Sequence, residues 1–309
     1  MKNTVLLLIL LSLFSCNNLT EKEAIAKYAS KASQSKFISI DNKKVHYRES
    51  GSGEPLILIH GVVDSLHTWD LLVPFLETKY RVIRIDVPGF GLSDPLELKG
   101  NLPLRFSNFL KSFMGELNIQ KASLIGNSLG GLLSWTFAVN YPNLVNKVVL
   151  LSSGGFPQKF PWVFDVTNTF VNKVIRTFGN ETIGPLTGVV GPRVPGLVAD
   201  TKHKDFVSDQ FLRISELMTS QGNLKSYIDL LEYAGNYDYS DSKRASEIKH
   251  PMLILHGEKD QIIPVDTQIP QWKKSSPNST IKILRNSAHM PHWEDPLRLS
   301  KLIAPFLAH

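Results

Sequence analysis

A single cysteine in 309 residues excludes a good deal. No intrachain disulfide can form, so stability has to come from a packed core. Zinc or redox chemistry of the C-x-x-C kind is ruled out, and H-x-x-H at 289–292 lacks the helical spacing of a ligand pair. Basic clusters are missing as well. The net charge of +6 is modest and dispersed, which argues against a nucleic-acid reader. DVPGFGLSD (86–94) has two glycines without the spacing of a dinucleotide loop. We therefore expect no metal, no cofactor and no nucleic acid. Apolar runs of membrane-spanning length are also absent. Val5–Phe14 is too short to cross a bilayer.

What is present is globular in composition. With 42% hydrophobic and 20% charged residues, the chain can bury one large domain or two ordinary ones. The opening MKNTVLLLILLSLFSC has a basic start at Lys2, an apolar stretch, and then the lone Cys16, a layout that suits a secretory signal. L-F-S-C resembles the lipobox of bacterial lipoproteins, whose cysteine is lipidated and becomes the new N-terminus. The resemblance implies a signal peptide over 1–15, lipidation of Cys16, export, and anchorage to a bacterial membrane through the lipid. An ordinary signal peptide with an incidental cysteine is the alternative. Residues 16–36 are polar and read as a tether, with T-E-K-E at 20–23 as a capping box for a short helix.

Beyond the tether, KFISID, a turn at Asn42 and KKVHYRES predict a hairpin. PLILIH (55–60), RVIRID (81–86), ASLIGN (122–127), KVVLLSS (147–153), MLILHG (252–257) and TIKIL (280–284) are short β-branched apolar runs. Helix-length segments at 66–77, 104–118, 129–141 and 297–307 alternate with them. That alternation predicts an α/β fold with a mostly parallel sheet covered on both faces. The rhythm breaks at 156–250, where helical stretches near 161–178, 204–220 and 223–236 flank a Gly/Pro-rich segment at 184–196. We expect a helical cap there, inserted into a core made of 37–155 and 251–309.

LIGNSLGGLL (124–133) carries the chemistry. Ser128 falls where a strand run gives way to a helix, and its flanking glycines suit a sharp turn and close strand–helix packing. The helix start offers backbone N–H groups to developing negative charge. Serine alone is inert, so a base and an orienting acid are required. HGEKDQIIP (256–264) supplies Asp260 just past a strand run, and NSAHMPHWEDP (286–296) supplies His289 after the last one. Ser, Asp, His is the chain order of α/β-hydrolases, and from about 37 to 308 the sequence resembles that family. HGVVDSLHTW (60–69) looks like the family's oxyanion loop and DVPGFGLSD like its D-x-P-G-x-G-x-S-D turn. The spacing from His289 to Glu294 and Pro296 matches its histidine loop.

The resemblance implies Ser128 as nucleophile, His289 as base, Asp260 as the acid that holds the imidazole, and the N–H groups of Val62 and Leu129 as oxyanion donors. Glu258 is the rival acid and His292 the rival base. His60 is read as shaping the oxyanion loop and His256 as a packed or turn residue. Ala288 stands where the family usually has glycine. A serine nucleophile argues against the aspartate-dependent dehalogenases and epoxide hydrolases that the oxyanion loop otherwise resembles, and favours acyl transfer. The expected activity is esterase- or lipase-like hydrolysis of a small-molecule acyl substrate through an acyl-enzyme intermediate. G-N-S-x-G-G also resembles C–C bond hydrolases of aromatic degradation, which makes hydrolysis of a vinylogous diketone the alternative. Against it stand an oxyanion loop without their Gly/Pro-rich form and Met290 where they tend to carry Trp. The cap arginines Arg176, Arg193 and Arg213 could hold an acidic substrate, though cap surface is the plainer reading. A ligand-binding homologue with little turnover is a third reading. Asn127 has no assigned role.

Overall fold

The computed structural model describes residues 19–30, 34–95, 100–158, 196–220, 223, 226, 229 and 239–308. The expected signal peptide, Cys16, Arg176, Arg193 and the expected cap helix at 161–178 lie outside the described residues. Among the described residues, no helix is long and apolar enough to cross a membrane.

In chain order the elements are helix α1 (Glu21–Tyr28) and strands β1 (Ser35–Ile40), β2 (Lys43–Ser50) and β3 (Glu54–Ile59). Then come α2 (Val73–Leu76), β4 (Tyr80–Ile85), α3 (Leu102–Glu116), β5 (Ala122–Asn127), α4 (Leu129–Asn140) and β6 (Val145–Leu151). After α5 (Lys204–Thr219), in the interval expected to form a cap, follow β7 (Met252–Gly257), α6 (Val265–Ser275), β8 (Thr280–Leu284), α7 (Pro291–Glu294) and α8 (Pro296–Ala308). The strands form one eight-stranded sheet in the order β1-β2-β4-β3-β5-β6-β7-β8. The β1–β2 hairpin and the β2–β4 pair are antiparallel, and every other pair is parallel.

Side chains alternate across a strand, so each central strand feeds two cores. Ile57 and Ile59 join Leu124, Leu150, Ile254, Phe113, Trp135 and Trp272 on one face. Leu56 and Leu58 join Ile125, Val149, Leu253, Leu255, Trp69 and Ile303 on the other. Each fully buried Leu or Ile contributes roughly 1.5–3 kcal/mol of transfer free energy, which explains why the strand runs are apolar on both sides.

Two departures from the expected elements have local causes. The segment at 66–77 is a 3-10 turn (Leu66–Trp69) followed by the short α2, with Pro74 in the first turn of α2. Pro74 has no N–H to continue a helix from Leu66, so the segment breaks in two. Helix α6 lies outside the expected helical segments and carries Pro270 within it. Helix α1 does carry the Thr20–Glu23 capping box.

Candidate active site

Ser128, Asp260 and His289 all follow the carboxyl ends of parallel strands: β5, β7 and β8 respectively. Crevices at that edge of an open α/β sheet are where ligands bind.

Ser128 is a non-glycine residue with φ 56° and ψ −118°. Such a backbone costs roughly 1–3 kcal/mol and persists because its surroundings overdetermine it. Ser128 N donates to Leu151 O at 3.1 Å, while Ser128 O accepts from Gly131, Leu132 and Gly154 N at 3.1–3.2 Å. The glycines are there for space. A Cβ on Gly130 would collide with the carbonyls of Ile59 and His60, and one on Gly126 with the Gly130 carbonyl. Helix α4 can therefore begin directly against the end of β3.

The same approach brings the expected oxyanion loop alongside. A Cβ on Gly61 would sit 3.2 Å from Ser128 Cβ, so the Gly61–Val62 turn borders the serine. Leu129 opens α4, where N–H groups lack intrahelical acceptors. His60 pins the loop from below: its Nδ1 lies 2.7 Å from Gly61 O, and its Nε2 accepts from Val87 N at 2.9 Å. Burial lowers its pKa, consistent with a neutral imidazole that donates at one nitrogen and accepts at the other. Val63 carries φ 55°, a strained value for a β-branched residue one step past Val62.

A second clamp is Asp86. Its carboxylate accepts from Leu66 N at 2.7 Å and Leu92 N at 2.8 Å, and His46 Nδ1 lies 2.6 Å away. Burial pushes its pKa up, but the His46 imidazole and these donors outweigh that and bring it down to about 2. Gly91 is required beside it, since a Cβ there would strike the carboxylate.

Asp260 and His289 are joined. His289 Nδ1 is 2.8 Å from Asp260 Oδ2, and Oδ1 accepts from the N–H groups of Ile262 and Ile263 at 2.9 Å each. The rivals point elsewhere. Glu258 is exposed and its carboxylate accepts from Asn286 N at 3.4 Å. His292 Nε2 is 2.9 Å from Thr68 Oγ1, its ring stacks on Trp69, and burial pushes its pKa down to about 3. His256 Nε2 lies 2.7 Å from Ile263 O and 3.5 Å from Asp260 Oδ2, so it backs the acid from behind.

Sequence reasoning missed two supports. Asn127, buried, donates through Nδ2 to Leu151 O at 3.1 Å and to His289 O at 3.0 Å. Glu294 accepts from Ala288 N at 2.9–3.1 Å and from Ala199 N at 3.3 Å, so it ties the histidine loop to the segment entering α5. The five-residue step from His289 to Glu294 carried the signal for that second tie.

A carboxylate-held imidazole whose backbone is hydrogen-bonded to the residue preceding a serine, with that serine on a strained strand-to-helix turn bordered by the Gly61–Val62 turn, fits an α/β-hydrolase. The family comparison agrees: residues 54–296 match the alpha/beta hydrolase fold family, and the chain belongs to it. The chain is similar to a 2-hydroxy-6-oxononadienedioate/2-hydroxy-6-oxononatrienedioate hydrolase of Paraburkholderia phymatum, 27% identical over 288 residues, 89% of this chain and 96% of the relative. It is also similar to a 2-hydroxy-6-oxo-6-phenylhexa-2,4-dienoate hydrolase of Burkholderia cepacia, 26% identical over 91% of this chain and 98% of the relative. Among solved structures, a membrane phospholipase A described as a bacterial virulence factor superposes with TM-score 0.72 at 20% identity, covering 100% of this chain and 98% of that one. That likeness is one of fold.

Proposed function

We propose that the chain hydrolyses a carbon–carbon bond next to a ketone in a 2-hydroxy-6-oxo-dienoate, with Ser128, His289 and Asp260 as its catalytic triad. The Asp260–His289 hydrogen bond, with the His289 backbone tied to Asn127 next to the strained Ser128, carries the hydrolase reading. Curated relatives that span nearly the whole chain and are named for such substrates support the substrate class. The 2-hydroxy-diene first tautomerises to its 2-oxo-3-ene form, the hydroxyl proton leaving O2 and a proton being added at C5. Ser128 Oγ then adds to the C6 carbonyl while His289 Nε2 takes its proton, and Asp260 holds the imidazolium that forms. The N–H groups of Val62 and Leu129 take the oxyanion. Collapse breaks the C–C bond, because the departing carbanion is delocalised into the neighbouring 2-oxo-alkene, and His289 returns the proton. Water then releases the acyl group from Ser128.

Arg213 of α5 is the candidate partner for a substrate carboxylate, with its guanidinium over the Tyr28 ring on the α1 side of the helix. Arg213 has buried Nε and Nη1 atoms without hydrogen-bond partners among the described residues, and it neighbours Asp64 in the loop after Val62. This departs from the expectation of a cap-surface arginine.

Ester hydrolysis is the second reading, and the apolar lining favours it. Ile214, Leu217 and Met218 of α5 line a small cavity with Val63 and Phe90, and Met290 is buried against Phe211. Such a wall suits an acyl chain. Expulsion of an alkoxide would need the same triad.

The deciding experiment pairs substrates on the wild type and Ser128→Ala. The proposal expects Ser128-dependent cleavage of a vinylogous 1,5-diketone with a higher kcat/KM than for p-nitrophenyl butyrate. Preference for the ester would replace the first reading with the second, and Ser128-independent turnover of both would end each of them. We further propose that 156–250 forms the cap and that lipidated Cys16 holds the enzyme at a bacterial membrane. A Cys16→Ser chain that stays in the membrane fraction would contradict the anchor.

A further inference from the structure

Helix α1 touches two bodies at once. Toward α5, the Tyr28 hydroxyl donates to the Glu216 carboxylate, and Lys27 Nζ lies 2.6 and 2.8 Å from the two Glu216 oxygens. Ala24 and Tyr28 share an apolar cluster with Leu217 of α5 and Leu92 of the core. The Arg213 guanidinium sits 5.6 Å over the Tyr28 ring. Toward the sheet, Arg48 Nη2 donates to Tyr28 O at 2.8 Å, and Lys44 pairs with Glu21. A segment that reads as a tether is thus packed on both sides.

The opposite side of α5 lies across the proposed site. Val207 and Phe211 pack on Met290, next to His289, while Ile214 and Met218 border Val63, next to Val62. A direct polar tie between α5 and the loop below it is long, 3.4 Å from Gln210 Nε2 to His67 O. The α1 contacts through Tyr28 and Lys27 thus add to the apolar packing of Phe206 and Phe211 on Trp293 in holding the helix.

We infer that α1 is a clasp: through Tyr28 and Glu216 it holds α5 over the gap between the histidine loop and the oxyanion loop, and so sets the size of substrate admitted. The gate rests on the Ser128 reading, whereas the clasp itself does not. Any force or partner that lifts Glu21–Tyr28 would loosen α5 without touching the triad. The energetic scale is right for a switch. Losing a charge-assisted hydrogen bond and the ring beneath Arg213 shifts a local opening equilibrium by on the order of tenfold or more.

The test uses the full chain as wild type, Tyr28→Phe and Tyr28→Ala. Two readouts are followed: amide hydrogen exchange by segment, and Ser128 labelling by fluorophosphonates with an ethyl or a decyl chain. The clasp predicts exchange across 204–219 faster by on the order of tenfold in Tyr28→Ala and by a smaller factor in Tyr28→Phe, with β5 and β6 unchanged. Decyl labelling should accelerate by a similar factor while ethyl labelling holds within about twofold. If Tyr28→Ala fails to fold, the graded Tyr28→Phe effect still decides. Exchange of 204–219 that is unchanged, or that rises equally in β5 and β6, overturns the clasp. Equal acceleration of both probes overturns the gate. Absence of labelling in the wild type sinks the Ser128 reading and with it the gate, and leaves exchange to judge the clasp.

Discussion

Asn127 donates a hydrogen bond to the backbone carbonyl of His289 across 3.0 Å, so the residue before the proposed nucleophile fixes the backbone of the proposed base. Its second bond, to Leu151 O, anchors the same amide to β6. Two loops separated by 162 residues are thereby locked at the reacting centre. Asn127→Ala is expected to lower kcat on the order of tenfold to a hundredfold with little change in KM, because the base loses its position while the binding wall stays. Unfolding free energy should fall by about 1–3 kcal/mol, since His289 O loses its Asn127 donor while Leu151 O keeps Ser128 N. A KM effect with kcat intact would contradict the positioning role.

Asp260→Asn probes the acid. Asp260 accepts three hydrogen bonds, and an amide has one acceptor oxygen, so either His289 or the Ile262–Ile263 turn is left facing an N–H. Turnover should drop by roughly a thousandfold or more, with fluorophosphonate labelling slowed in parallel. Glu258→Gln, at the exposed rival, should leave both unchanged.

His60→Phe strips Gly61 O and Val87 N of their shared partner. Two buried groups without partners cost roughly 2–6 kcal/mol, visible in a denaturant titration. His60→Gln, which offers both a donor and an acceptor, should recover part of the stability. Equal losses in the two variants would show that ring volume, rather than the bridge, matters.

The buried carboxyl of Asp64 gives stability a pH dependence. Desolvation raises its pKa from 3.8 to about 7. A carboxyl whose folded pKa lies above its unfolded value costs nothing below the unfolded value, and its cost grows as pH rises toward the folded one. Between pH 5 and 8, Asp64 should therefore cost the native state about 2–3 kcal/mol. Asp64→Asn should flatten that slope in urea titrations across the range. A slope that survives the substitution would assign the effect to another group.

Arg213→Gln separates the two substrate readings. If Arg213 holds a substrate carboxylate, KM for an acidic diketone should rise on the order of tenfold or more, while a neutral p-nitrophenyl ester keeps its KM. A parallel rise for both would leave Arg213 with its Tyr28 packing as its role and no part in substrate recognition.

Much of this was legible in the chain. ASLIGN and MLILHG coincide with β5 and β7, because buried parallel strands must be apolar on both sides, and TIKIL coincides with the edge strand β8 through its alternating β-branched residues. The glycines around Ser128 announced a turn that only small residues allow. Helix α6 was outside the expected helices, and the break at Pro74 escaped because Pro74, without an N–H, splits the expected 66–77 helix.

Sequence by itself therefore determined the sheet, the elbow at Ser128 and the order Ser, Asp, His, all properties of short segments whose local chemistry admits few conformations. Tertiary structure decided the rest: that His289 rather than His292 hydrogen-bonds Asp260 while His256 backs the acid, that Asn127 braces His289, and that Glu21–Tyr28 packs against α5 instead of trailing as a tether. Each of these is a contact between side chains or backbones far apart in the chain. A residue's own neighbours carry no record of which distant group will complete its hydrogen bonds, and only the folded sheet, by placing its strand ends side by side, makes the choice.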